Sequence, residues 1–346
     1  MGNQRKANFE LLRIVAMVMI VILHYLSKGE LLSEHLTIQN PEGYFWWILE
    51  AFCAVAVNVY VLLSGYLLIQ KPFRVKRVLA IWLQVLFYSV LIPIILLAIG
   101  ELSIQELSVY DGLFYVFPIL TEHYWFLSSY IILAILSPLL NYGIEKLPKV
   151  QLQQVMLLLF LLFSISKSII PFDFALDQFG YGLEWMICVY VLGAYIRIYG
   201  IPFYDSKGKS ILAYGLGVLL MAAALFTLSM FENGPAVLYK WRTESYQYNH
   251  IFNLFASVSL FYFFVHLTIE KGPFAQVIGK VSPYVLGVYL LHEHMEVRYR
   301  WIEWFGVIGE YTIWQQVLHM AAVIPVVFLV GVGVDYVRSK LCTIKF

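Results

Sequence analysis

The sequence predicts an all-α integral membrane protein of about ten transmembrane helices, with both termini in the cytoplasm. Three observations carry this. Of 346 residues, 61% are hydrophobic and 13% charged, against roughly a quarter charged in soluble domains. Apolar stretches of about 20 residues, each long enough to cross a bilayer, recur along the whole chain. The loops between them alternate in charge. Tyr, Phe and Trp make up 17% of the chain, which suits interfacial belts and the walls of a ligand cavity. The net charge of +1 says nothing about partners, because here the distribution carries the information. Cys53, Cys188 and Cys342 fit no metal or disulfide spacing and read as small buried hydrophobes.

The ten spans are 9–27, 44–69, 78–99, 123–144, 151–170, 181–199, 210–231, 248–269, 281–297 and 314–336, read as a single transmembrane domain over 1–346. The first is too long for a removable signal peptide and lacks its cleavage site, so it reads as a retained span. The ninth is short, and LFYVFPIL at 113–120 is too short to cross, reading as re-entrant or interfacial. With the N-terminus inside, every inner segment is net positive, as the positive-inside rule requires. These segments carry Arg5 and Lys6; Lys71, Arg74, Lys76 and Arg77; Lys146 and Lys149 against Glu145; Arg197, Lys207 and Lys209 against Asp205; Lys271 and Lys280 against Glu270; and Arg338, Lys340 and Lys345 against Asp335. No outer segment is positive. The acids there include Glu30, Glu34, Glu42, Glu101, Glu106, Asp111, Glu122, Asp173, Asp177, Glu232 and Glu310. No inverted repeat is visible, and no soluble domain is expected at either end. Function is therefore expected in the membrane part.

The first span holds two groups that hydrocarbon does not favour. Arg13 and His24 are eleven positions apart; at about 100° and 1.5 Å per residue they share one helix face, about 16 Å apart along the axis. Ionisable groups at membrane depth face a protein interior or a wet cavity. An imidazole there serves as general base or nucleophile; a packing histidine bonded to a neighbouring helix is the plainer alternative. Arg13 can snorkel to the headgroups or hold the anionic end of a ligand. Arg74 and Arg77, three residues apart in KPFRVKR, add to the same inner surface as phosphate-binding forks or as ordinary positive-inside residues.

In span 2, Asn58, Ser64 and Gly65 suit close helix packing. Glu122, His123 and Trp125 open span 4, where an aromatic belt and a sugar-stacking acceptor site are equally in keeping with the pattern. Glu50, Lys167 and Glu184 are membrane charges that need partners. His292, Glu293 and His294 cluster in span 9, but i, i+2 spacing sends the two imidazoles to different faces, which speaks against a shared metal. A polar cluster at the outer mouth of a cavity is the expectation there.

Six motifs in order complete the reading: NFELLR with Arg13 and His24, LSGYLL ending span 2, RVKR before span 3, WFLSSYIILAILSPLLN in span 4, YVLGAYIR in span 6 and GVYLLH in span 9. Together they resemble the membrane-bound acyltransferase family 3 over roughly residues 5–336. The resemblance implies a ten-helix transferase of a bacterial cytoplasmic membrane. Such an enzyme moves an acyl group, usually acetyl, from cytoplasmic acetyl-CoA to a hydroxyl of a surface glycan or lipid-linked sugar. It implies His24 as catalytic and Arg13, Arg74 and Arg77 as CoA-binding, with Trp125, His123, Glu122 and His292 toward the acceptor, and no metal. Asn58 stands where many relatives have a Pro-aromatic run. Expected partners are acyl-CoA, the glycan acceptor and membrane lipids, not nucleic acid; a homodimer is compatible with the chain. Two competing readings are a proton-coupled carrier of a small polar solute, relaying through His24, Glu50 and Glu184, and a small-molecule-sensing membrane domain.

Overall fold

The computed structural model describes residues 6–32, 41–170, 178–231, 236–306 and 311–341. Arg5, Glu34, Asp173, Asp177, Glu232, Glu310, Cys342 and Lys345, used in the reading above, lie outside the described residues. Regular structure among the described residues is helical throughout: α1 (Ala7–Lys28), α2 (Pro41–Cys53), α3 (Ala56–Leu68), α4 (Val75–Ile99), α5 (Val109–Val116), α6 (Trp125–Lys146), α7 (Lys149–Phe160), α8 (Ser166–Ile169), α9 (Leu183–Tyr199), α10 (Lys207–Ser229), α11 (Ala236–Glu244), α12 (Ile251–His266), α13 (Pro273–Val281), α14 (Val285–His292), α15 (Arg300–Phe305) and α16 (Ile313–Leu341). The protein is an all-α integral membrane protein.

Eight helical segments are long and apolar enough to span: α1, Glu42–Leu68, α4, α6, Lys149–Ile169, α10, Pro273–His292 and α16. They coincide with eight of the ten spans read from the sequence. The other two form α9 and α12, of 17 and 16 residues, about 25 Å of helix against a hydrocarbon core of about 30 Å. Residues 183–199 are mostly buried, so protein packing sets the length of α9. Span 2 is broken between α2 and α3, and span 5 carries a five-residue π segment, Leu161–Ile165, between α7 and α8. The short 113–120 piece begins within α5, whose start is fixed by a capping box between Ser108 and Asp111.

The chain divides into two compact units, Met1–Pro72 with Ser137–Ser282, and Phe73–Leu136 with Pro283–Phe346. In the first, α3 and α9 approach to backbone contact. A Cβ on Gly65 would stand 2.0 Å from the Tyr190 carbonyl oxygen, and one on Gly193 would stand 2.3 Å from that of Leu62. Small residues here let two backbones meet. Asn58, on α3 and 1% exposed, ties three elements together: its Nδ2 donates to Tyr248 O (2.8 Å) and Asn253 Oδ1 (3.2 Å), and its Oδ1 accepts from Trp185 Nε1 (2.9 Å). Cys53 and Cys188 are buried free thiols, as expected.

In the second unit, α14 packs on α16 and α4. Asp335, which the sequence places among inner-loop charges, lies inside α16 and is completely buried. Its Oδ1 accepts from Gln84 (2.9 Å), Tyr88 (3.0 Å) and Arg338 (2.6 Å). Three donors, one of them an arginine, offset the cost of burying the carboxylate.

Gly65→Ala is expected to lower the thermal midpoint of the purified protein in detergent, since the Tyr190 backbone must move, at a cost of about 1–3 kcal/mol. Gly215→Ala, whose Cβ would meet nothing within 4 Å, is expected to leave it unchanged or slightly raised.

Candidate active site

Helix α1 runs unbroken past both Arg13 and His24, so the same-face geometry read from the sequence holds. Between them on that face lie Met17 and Ile20, 4% and 8% exposed, while Arg13 and His24 are half-buried. The stripe therefore faces protein rather than lipid. Arg13 is also held in place. Its Nη1 donates to Glu10 Oε1 at 2.6 Å, and Glu10 Oε2 accepts from Ser282 Oγ at 2.5 Å. Tyr60 donates its hydroxyl to the Arg13 carbonyl at 2.6 Å, and Asn8 Nδ2 pins the helix start by donating to Phe264 O at 2.8 Å. Glu10 was not singled out in the sequence. Its signal was the i, i+3 spacing to Arg13, which puts the two side chains on adjacent turns.

The second unit holds the remaining candidates. Arg74 is the N-cap of α4 without a side-chain capping bond, and Arg77 N–H donates to the Arg74 carbonyl at 2.9 Å. Both side chains are exposed at the start of a helix whose first turn has no acid. Cations there oppose the helix dipole, while the uncapped amides and guanidinium groups together favour an anion.

Glu122, His123 and Trp125 differ in exposure. Glu122 is exposed with a left-handed backbone (φ 53°), Trp125 is half-buried at the first residue of α6, and His123 is 4% exposed and turned inward. His123 Nε2 accepts from Met295 N–H at 3.2 Å, and its Nδ1 faces Ser89 Oγ at 3.4 Å. The His294 ring lies 4.5 Å away, edge-on, with Nδ1 accepting from Glu296 N–H and Nε2 donating to the Ser89 carbonyl. Both ring nitrogens of each imidazole are engaged. Arg298 closes the cluster by donating to the His123 carbonyl at 2.9 Å. Nothing in the sequence pointed to the His123–His294 pairing, because the two are far apart in the chain.

His292 parts from His294, as the i, i+2 spacing predicts. Its Nδ1 donates to Val288 O at 2.5 Å. The ring also borders an apolar cavity of about 340 Å³, whose walls include Leu96, Trp301 and Val327. Of the three membrane charges for which the sequence shows no partner, Lys167 meets Glu244 at 3.4 Å, both buried.

A family model described as an acyltransferase domain matches residues 6–335. The chain belongs to membrane-bound acyltransferase family 3. No curated protein and no solved structure gives a match. The matched range takes in both units, so in this acyltransferase family member the Arg13–His24 helix, the basic start of α4 and the His123–His294 cluster all fall within the family domain.

Proposed function

We propose that this acyltransferase moves an acetyl group from cytoplasmic acetyl-CoA to a hydroxyl of a cell-surface polysaccharide or lipid-linked sugar, in a bacterial cytoplasmic membrane with both termini inside. The observation that carries this reading is the protein-facing stripe of α1, where a fixed guanidinium and an imidazole share one line about 16 Å long. A thin, extended donor with an anionic end and a reactive thioester matches such a line.

Arg74 and Arg77, with the uncapped amides of α4, hold the nucleotide phosphates through charge-assisted hydrogen bonds; Arg13, oriented by Glu10, takes the phosphate nearer the arm. His24 accepts the proton of the acceptor hydroxyl as its oxygen attacks the thioester carbonyl. The C–S bond breaks, an ester forms, and the CoA thiolate leaves and recovers the proton as a thiol. The alternative route passes the acetyl group through the imidazole before the sugar receives it. Trp125 offers a stacking face to the acceptor with Glu122 beside it; His123 shapes that site from behind, and His292 borders its apolar side.

His24→Ala is expected to lower acetyl transfer from labelled acetyl-CoA to a surface-polysaccharide extract by at least ~10²-fold, with the thermal midpoint unchanged. Arg74→Ala and Arg77→Ala are expected to raise KM for acetyl-CoA about tenfold each, the loss of one charge-assisted contact, with little change in kcat. A fully active His24→Ala enzyme would end the catalytic assignment. Proton-coupled solute flux in liposomes without thiol release from acetyl-CoA would favour the carrier reading.

A further inference from the structure

A cavity in the first unit has no part in the chemistry above. It encloses about 250 Å³, below the ~300–1,000 Å³ of sites for drug-sized ligands, and so suits one ring-sized group. Leu32, eight residues after His24 and just past the end of α1, lines it, so the cavity lies at the His24 end of that helix. Its other walls are unusual for a membrane core: Trp47 and Glu50 from α2, Tyr181 from the segment before α9, and Arg242 and Tyr246 from α11 and the turn after it.

The aromatic walls do not stack face to face. Trp47 and Tyr246 meet at 4.9 Å with planes inclined at 59°, and Tyr181 meets Tyr248 at 4.7 Å and 47°. Glu50 Oε2 is buried without a hydrogen-bond partner. A buried carboxylate oxygen in that state requires a donor, and one arriving with a ligand supplies it. Arg242, its guanidinium 4.9 Å from the Tyr239 ring, brings the opposite charge to the same lining. A wall that carries a guanidinium has no excess negative charge with which to hold an isolated cation; with an acid beside it, it suits a neutral group that both donates and accepts.

The surround is built to keep this shape. Phe179 and Gly180 both adopt left-handed backbone, φ 54° and 84°, and a Cβ on Gly180 would stand 2.7 Å from Asn249 N. Helix α11 is fastened by the Lys167–Glu244 pair and by Trp241 Nε1 donating to Ile169 O at 3.0 Å. Strained backbone held by its surroundings is a mark of ligand-binding loops.

We propose that this cavity binds a single pyranose ring, with its C–H face against Trp47 or Tyr246, one hydroxyl donating to Glu50 Oε2 and another oxygen accepting from Arg242. As the sugar of the acceptor it deepens the transferase reading and rests on it for that role; the binding itself does not.

The test is saturation-transfer NMR on the purified full-length protein in detergent, with methyl β-glucopyranoside and methyl N-acetyl-β-glucosaminide as probes and tetramethylammonium as the cationic comparison. Saturable transfer to a pyranoside is expected, weakened about tenfold or more by Glu50→Gln and by Trp47→Leu, each checked for an unchanged thermal midpoint, and kept in His24→Ala. The two substitutions lie one turn apart in α2, so either one that folds suffices. The proposal is overturned if neither pyranoside binds, if both variants bind them as the parent does, or if tetramethylammonium saturates in their place. If pyranosides bind but the unsubstituted protein transfers no acetyl group from acetyl-CoA, the transferase reading falls and the cavity stands. If acetyl transfer depends on His24 but no pyranoside binds, the cavity assignment falls alone.

Discussion

The first unit depends on a pair of amides buried where water cannot reach them. Asn58 and Asn253 are 1% and 0% exposed, and each unmet polar atom at such a depth would cost several kcal/mol. Their own side chains and the chain around them meet that demand. Asn58 takes the Trp185 indole and donates to Tyr248 O, while Asn253 donates to the carbonyls of Ala54 and Tyr246 and accepts from Ser257. Ala54, Tyr246 and Tyr248 all line the cavity around Glu50. The same bonds that make α3, α9 and α12 one body therefore also fix the cavity wall. A polar residue in span 2 that first reads as a helix-packing device is a packing device, and its reach includes a binding surface.

The second unit solves the same problem with charge and imidazole in place of amides. Asp335 collects three donors from α4 and from its own helix α16, and Gly287 leaves room for it, since a Cβ there would lie 2.3 Å from the Asp335 Cβ. Nearer the start of α6, His123 and His294 hold neutral forms by engaging both nitrogens of each ring. Tyr124, wholly buried between them and α14, donates to the Leu290 carbonyl at 2.8 Å. In each unit one set of buried polar groups is resolved among its own members, and small residues let the backbone come close enough to complete it.

The sequence was most informative where a short-range rule applies. Span positions follow from local apolar runs, so eight were recovered, though the ninth, read as 281–297, is displaced from the helical segment Pro273–His292, and α9 and α12 fell short only in length. The Arg13–His24 line follows from helical periodicity alone. Glu10 was within reach of the same rule but was masked by its place in a motif read for its arginine. What could not be read were bonds between distant parts of the chain. Lys167 needed a partner, but Glu244 is 77 residues away in a stretch that reads as an outer loop. Asp335 was assigned to a loop because a charge near a helix end normally sits there, and only the arrival of Gln84 and Tyr88 from α4 makes its burial tolerable. The cavity around Glu50 draws on five separate chain segments, none with a motif of its own.

The two sets of arginines differ in how their charge is answered, and the difference has a functional meaning. Arg13 has a buried acid of its own: Glu10 is 6% exposed in its side chain and lies 2.6 Å away, so the position of this guanidinium is set before any ligand arrives. Arg74 and Arg77 stand in a different setting. They are exposed around a helix start with no acid in its first turn and no side-chain cap, an arrangement in which each cation is opposed by about 0.3–1 kcal/mol of helix-dipole interaction. Only a mobile anion reverses that sign, by satisfying the free amides and screening the cations together. The guanidinium along α1 is therefore positioned by its own acid, while those at the start of α4 stand where a bound anion would lower their energy.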